Sequence, residues 1–375
     1  MGGKLDIVSY FEDIVIIKDY DPYFCSIPQA ISLLIVGTFC GYKNIMQIQE
    51  WAEIEEVKEI LKVHFGIEHI PCYYWLTRLL QLADADSMNE CFNKWVESLL
   101  PDTKEGFTIA IDGKTICSTA NMQKFEKSLH IVSAQIAELG LTFAQKAVGD
   151  KTNEIPTVQS LIKTLKIKGC VIVADALNCQ KKTAKAIVEK EADYLLSVKD
   201  NQTTLKQDIE DFVQDEKLQK TMEHCSTSEK NRNRIEKRTA YVTTDIKWLT
   251  QNHKWEKLTS FGAIHKQVST KNGKSSEWHY YISSKSLSPE ELLQRARLEW
   301  SVETMHWLLD VNFGEDNCRL QNDIAQKNLN IIRKIVINSL RVYKDKTKSK
   351  KAFTSLMIKC HVNPKYIFDI CSYQN

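Results

Sequence analysis

Phe107-Thr108-Ile109-Ala110-Ile111-Asp112 and Cys170-Val171-Ile172-Val173-Ala174-Asp175 are two short apolar runs, and each stops on an aspartate. Their length and composition read as buried strands. Apolar-alternating segments at Leu129–Ile136 and Leu141–Val148 follow the first run. A helical stretch over about Thr157–Leu165, starting after Pro156, leads to the second run at Gly169. A helix over about Lys181–Glu191 and a strand at Tyr194–Val198 complete the series. The order β-β-β-α-β-α-β is a three-strand meander followed by crossover units that add parallel strands. It allows the first and fourth strands to lie side by side, with Asp112 and Asp175 at neighbouring ends.

Outside this block the periodicity changes. Before it, Ile27–Phe39, Ile45–Leu61 and Tyr74–Ala83 carry apolar residues at helical spacing, and Pro101–Gly106 is a polar boundary. After it, Thr239–Thr243, Leu258–Val268 and Trp278–Ser283 read as strands between polar loops, and helical spacing returns after Pro289. The expected class is α/β: a ribonuclease-H-like mixed sheet, three strands antiparallel and then parallel, with flanking helices, a β-rich insertion and a helical N-terminal domain. The expected divisions are a helical N-terminal region at 1–103, the first part of the ribonuclease-H-like domain at 104–199, and the β-rich insertion at 200–287. The catalytic helix region at 288–345 then completes the core, and 346–375 is a C-terminal tail or helix.

With 375 residues, 43% apolar and 26% charged, the chain has the composition of a globular protein with room for two or three domains. A net charge of +2 does not by itself argue for a polyanionic partner. Two basic clusters stand out: Lys230, Arg232, Arg234, Lys237 and Arg238, and the lysine run at 344–351. Either reads equally as a solvated face. Eleven cysteines without a Cys-x-x-Cys pair fit free thiols in a reducing cytoplasm. The most apolar stretch, Ala30–Phe39, is too short to span a bilayer, so the expected location is cytoplasmic.

A buried carboxylate costs several kcal/mol unless it is paired or bound to a metal. Two such strand ends, joined by Glu303 from Trp300-Ser301-Val302-Glu303-Thr304-Met305-His306-Trp307, make the skeleton of an all-carboxylate Mg²⁺ site. Two ions roughly 4 Å apart in such a site suit phosphoryl transfer on a nucleic-acid backbone. Around Glu303, Leu298, Val302, Met305 and Leu309 share one helical face, and Glu299, Glu303, His306 and Asp310 another. The flanking Trp300 and Trp307 suggest a partly buried cleft. Taken alone, Asp112-Gly113 reads more simply as a tight turn. Glu303-x-x-His306 has the spacing of a di-iron bundle motif, but no second helical copy pairs with it. There is no zincin motif, dinucleotide loop or P-loop.

These blocks, in order, resemble a bacterial insertion-sequence transposase of the Asp-Asp-Glu class, in the branch containing the H-repeat-associated proteins. The resemblance rests on Phe107–Thr115, His130–Ala134, Lys151–Ile155, Asp175–Gln180, Asp193–Gln202 and Trp300–Asp316, with Asn328-Leu329 and Arg333 following. The chain departs from the branch at Glu299, Thr304 and Arg232-Asn233, and Ala296, Glu299 and Asp310 stand where the wider superfamily carries tyrosine, arginine and lysine. The resemblance implies Asp112, Asp175 and Glu303 as catalytic and metal-binding residues, with two Mg²⁺ ions or Mn²⁺ in their place. It implies double-stranded DNA as the partner, at the element's terminal repeats and at the target. It also implies a homodimer in the DNA complex and no membrane. Lys114, Lys199, Arg234 and Arg238 are the expected phosphate contacts, Gln180 and Asn201 the supports of the aspartate loops, and Tyr74–Gln81 the candidate recognition helix. The expected activity is Mg²⁺-dependent cleavage and strand transfer. The alternatives are a nuclease without strand transfer and a decayed or repurposed DNA-binding protein.

Overall fold

A computed structural model describes residues 6–17, 25–101, 103–119, 128–149, 153–271, 273–320 and 322–374. Asp102, Lys151 and Thr152, which the sequence reading used, lie outside the described residues.

The first hundred residues are helical, as their periodicity predicts: α1 (Asp6–Ser9), α2 (Ile27–Phe39), α3 (Ile45–Ala52), α4 (Glu55–Phe65), α5 (Tyr73–Leu82) and α6 (Ala85–Leu99). A capping box between Ser26 and Gln29 starts α2, with Pro28 in its first turn, and left-handed Gly66 ends α4. The stretch read as one helix from Ile45 is broken between Ala52 and Glu55.

The sheet then begins with β1 (Thr108–Thr115), β2 (His130–Ile136) and β3 (Leu141–Ala147), followed by α7 (Glu154–Thr164), β4 (Val171–Ala174), α8 (Lys181–Val188) and β5 (Asp193–Val198). Pro156 lies inside the first turn of α7, where its missing N–H has no helical partner to lose. β1 pairs antiparallel with β2, and Ile109–Ile111 pair in parallel with Ile172–Ala174 of β4. The order β3-β2-β1-β4-β5 is the ribonuclease-H-like arrangement that the segment order predicts. Thr108–Ile111 and Val171–Ala174 are buried on both faces, as a central parallel pair requires.

β1 does not stop at Ile111. Asp112-Gly113-Lys114-Thr115 continue the ladder to Thr115↔His130, so Asp-Gly is a strand segment rather than a turn. Gly113 serves close approach. A Cβ there would overlap His130 Nε2 and stand 2.6 Å from Glu154 Oε2.

After β5 come α9 (Thr203–Gln214) and α10 (Glu216–Gln219), and only then the strands β6 (Glu223–Asn231), β7 (Arg234–Thr243), β8 (Ser260–Thr270) and β9 (Gly273–Ser283). The insertion therefore opens with helix. Its polar outer strand β6 and the outer halves of β8 and β9 lack the alternation by which a half-buried strand is recognised. Its strands are not a separate unit. β9 pairs antiparallel with β5, giving one nine-stranded sheet in the order β3-β2-β1-β4-β5-β9-β8-β7-β6.

The chain closes with α11 (Pro289–Leu298), α12 (Ser301–Val311), α13 (Asp323–Thr347), α14 (Phe353–Val362) and α15 (Tyr366–Cys371). Contacts of α13 reach α2, α5, α6 and β3, and Asn328 Nδ2 donates to the carbonyls of Leu80 and Ala83, so the N-terminal helices share one core with the sheet. Helix α11 seats on β1 through buried Arg295, which donates to Thr108 Oγ1 at 2.7 Å. Among the described residues no helix is long and apolar enough to cross a membrane.

On its other side α11 meets Gly262 of β8, where a Cβ would stand 2.6 Å from Leu292 Cδ2 and 2.9 Å from the Tyr241 carbonyl. Gly262→Ala should cost about 1–3 kcal/mol. A lower urea midpoint at unchanged slope is the expected measurement.

Candidate active site

The parallel pairing of β1 with β4 ends at Ile111↔Ala174, so Asp112 and Asp175 are the next residues on adjacent strands. Helix α12 packs on β1 and β2 and carries Glu303 in its first turn, where the helix dipole favours a carboxylate. The three sequence-predicted acidic residues thus lie around one strand end. Asp112 is 29% exposed, and its carboxyl is pushed from the ordinary 3.8 up to about 7. Burial is the largest cause, and the negative charges of Glu154, Asp175 and Glu303 add to it.

A fourth carboxylate joins them. Glu299 lies in the break between α11 and α12, and burial first, then the charges of Asp175, Asp112 and Glu303, push it to about 7, while Lys199 pulls the other way. Asp175 caps the short 3-10 turn Ala176–Asn178, its Oδ1 accepting from Asn178 N at 3.2 Å and Asn178 Nδ2 at 3.0 Å. The following loop is braced as expected for Asn201 and Gln180: Asn201 Nδ2 donates to the Ala176 carbonyl and Gln180 Nε2 to the Leu177 carbonyl.

Glu303 itself is exposed, and so are Trp300 and Trp307, at 56% and 57%. The cleft suggested by the flanking tryptophans is therefore not built by burying them. The buried side of α12 is Val302, Met305, Leu308 and Leu309. His306, one turn after Glu303, stands with Nδ1 3.6 Å from Asp112 Oδ2. Burial, followed by the charges of Lys334, Lys114 and His130, holds it down at about 3, so the imidazole is neutral at physiological pH.

Behind the acidic residues lies a layer of paired charge. Lys114 points away from solvent to Asp310 at 2.8 Å, Asp316 at 3.0 Å and Glu315 at 3.4 Å, which occupies the ammonium otherwise expected at a phosphate. Fully buried Glu315 also accepts from Arg333 and Asn330. Lys334 is buried too. It donates to Ser133 Oγ at 2.8 Å and to Gln145 Oε1, and Ser133 is the register partner of Asp112. Burial pulls its amine from 10.5 to about 7.

The other expected phosphate contacts differ from one another. Lys199 and Arg238 line a cavity of about 330 Å³ beside Glu299, together with Lys266 and Trp300. Arg238 is held by Glu236 and Glu229, and Lys266 lies 5.6 Å from the Trp300 ring centroid. Arg234, at the start of β7, pairs with Glu236 at 2.6 Å and is not in this cavity.

Asp112, Asp175, Glu299 and Glu303 are hard oxygen donors of the kind a Mg²⁺ ion takes, and among the described residues neither half-buried Asp112 nor half-buried Glu299 forms an ion pair with a lysine or arginine. The donor set therefore fits such an ion. Among the described residues, no three His, Cys, Asp or Glu side chains already stand in ligating geometry, so binding entails rotamer adjustment. Sequence reasoning named Asp112, Asp175 and Glu303. It did not single out Glu154, His130 and Asn178, whose only signal was membership of blocks quoted for other reasons, or Lys334, which had no signal at all.

Residues 105–339 match the family model described as Transposase DDE domain. The chain is 32% identical over 326 residues to "Putative transposase YncI" of Escherichia coli O157:H7, covering 84% of this chain and 83% of that protein. It is 30% identical over 351 residues to "H repeat-associated putative transposase YhhI" of Escherichia coli strain K12, covering 90% and 91%. Among solved structures, a piggyBac transposase synaptic complex with hairpin DNA has a TM-score of 0.47 at 11% identity, covering 98% of this chain and 78% of that one.

A carboxyl whose folded value lies above its unfolded one destabilises the native state once it ionises. For Asp112 that penalty is absent below pH ~4 and builds up as pH rises to ~7. In metal-free protein, Asp112→Asn should therefore raise the melting temperature at pH 8 by a few degrees, on the order of 2 kcal/mol after discounting for partial exposure. The gain should vanish near pH 4. Melting curves of both proteins at the two pH values check this.

Proposed function

The chain belongs to the DDE transposase family, and from that premise we propose that it binds the ends of a bacterial insertion sequence and catalyses Mg²⁺-dependent cleavage and strand transfer. Members of this family act on DNA and generally use divalent metal ions. The observation that carries the reading is the meeting of Asp112 and Asp175 where the parallel pairing of β1 with β4 ends, with α12, which carries Glu303, packed on β1.

In this reading Asp112, Asp175 and Glu303 hold two Mg²⁺ ions, with Mn²⁺ as a substitute. When bound, the ions supply an activated attacking oxygen and neutralise charge on the leaving one. The chain's own residues do the rest. Asn178 keeps Asp175 in place by donating to its Oδ1. Neutral His306 sits beside Asp112 without adding a cation that would compete for it. Lys199 and Lys266, on the cavity beside Glu299, meet the phosphates of the bound strand. The N-terminal helices read the terminal repeats, with exposed Tyr74 and Arg78 of α5 facing outward. Two protomers act on two paired ends, and the protein works in the cytoplasm.

The test is Asp175→Asn with a labelled end fragment. Cleavage and strand transfer should fall by about 10²-fold or more, because the charge that holds the metal is gone while the side chain keeps its size. Binding to the fragment in EDTA should persist or strengthen, since a negative charge has left a phosphate-binding cleft. Cleavage without strand transfer by the parent protein would favour the nuclease alternative, and binding without cleavage the repurposed one. If Asp175→Asn cleaves as well as the parent, the carboxylate-metal mechanism is wrong.

A further inference from the structure

Glu154 opens α7, far from the three acidic residues in sequence, yet its charge is the largest electrostatic influence from another side chain on Asp112. Both of its oxygens are occupied. Oε2 accepts from His130 Nε2 at 2.9 Å, and Oε1 from Asn178 Nδ2 at 2.8 Å. The same Asn178 amide donates to Asp175 Oδ1 at 3.0 Å, so one side chain bridges two carboxylates. With two carboxylates to serve, the amide orientation is fixed. Its Oδ1 faces the other way as a fully buried acceptor without a partner among the described residues, which costs about 1–3 kcal/mol.

The far end of the chain is equally specified. His130 Nδ1 lies 2.8 Å from Thr115 Oγ1, so the ring is held at both nitrogens, by Glu154 at Nε2 and by Thr115 at Nδ1. Strand side chains alternate, so the pair crosses the face of β1 opposite to that of Asp112, at Gly113, where no side chain fits. Four segments of the chain are thereby tied together around the two strand ends. Burial alone would raise the Glu154 carboxyl, but the bonds from His130 and Asn178 outweigh it and hold it below its ordinary value.

We propose that Glu154 is a positioning residue of the acidic site: acting through Asn178 on Asp175, and as a fixed negative charge behind Asp112, it sets the affinity for the divalent cation. This rests on the metal reading of Asp112 and Asp175 given above. Partners of this kind, one bond behind the ligands, typically change metal affinity by about 10–100-fold when lost.

Two variants separate charge from position. Glu154→Gln retains the hydrogen bonds: its oxygen accepts from Asn178 and its amide donates to His130 Nε2, with the ring proton on Nδ1 toward Thr115. Only the charge is removed. Asn178→Ala leaves the Glu154–His130 pair and cuts the link to Asp175. Mn²⁺ binding to the full-length protein without DNA, read by electron paramagnetic resonance, should weaken about tenfold in each. Melting temperature in EDTA and binding of the end fragment in EDTA should stay near those of the parent, which a merely structural role would not predict. If both variants bind Mn²⁺ like the parent while Asp175→Asn does not, Glu154 has no such role. If Asp175→Asn also binds Mn²⁺ like the parent, the metal reading of the site fails and takes this proposal with it. Should Glu154→Gln fail to fold, Asn178→Ala decides the matter alone.

Discussion

Parallel pairing of β1 with β4 is the constraint from which the rest of the site follows. The register Ile111↔Ala174 fixes the two next residues, Asp112 and Asp175, side by side where the ladder ends. Both strands are buried on both faces, so a slip of one residue would send an aspartate into the core and an apolar side chain out of it. Arg295 reinforces that register from above by tying α11 to Thr108, and α11 in turn delivers Glu299 and α12.

Gathering carboxylates at one place is electrostatically unfavourable, and the fold is built to tolerate it. Burial first, and then that repulsion, makes Asp112 and Glu299 bind protons more readily, each being pushed to about 7. Behind them the protein keeps positive charge near but engaged elsewhere: Lys114 on Asp310, Glu315 and Asp316, Arg333 on Glu315, and Lys334 on neutral oxygens. None of these cations forms an ion pair with Asp112 or Asp175. Among the described residues Asp112 and Asp175 are thus left without a lysine or arginine partner, a state that suits a site for a hard cation.

The continuous nine-stranded sheet gives the insertion a mechanical role. Because β9 is hydrogen-bonded to β5, the cavity formed by Lys199, Lys266, Arg238 and Trp300 is held rigidly beside Glu299 rather than on a hinged module. Helix α11 packs across β7 and β8 as well as β1 and β4, which locks the two halves of the sheet in one orientation.

Local pattern in the chain specified the order of strands β1–β5, the helical start and finish, the aspartates that close two apolar runs and the face of α12 that is buried. Each of these is a local pattern of period 2 or 3.6 or an apolar run, set by backbone geometry and burial. Only the tertiary structure decided what those patterns meet. Asp112-Gly113 reads as a turn because the local signal for a turn and for close approach is the same glycine, and His130 and Glu154 come over it from distant segments. Trp300 and Trp307 are exposed because the apolar side of α12 that faces β1 and β2 is already filled by Val302, Met305, Leu308 and Leu309. Glu154 and Lys334 look like ordinary surface charges in the chain. Packing removes water from around them, as it does around Glu299, and desolvation depends on neighbours that no local window of sequence contains.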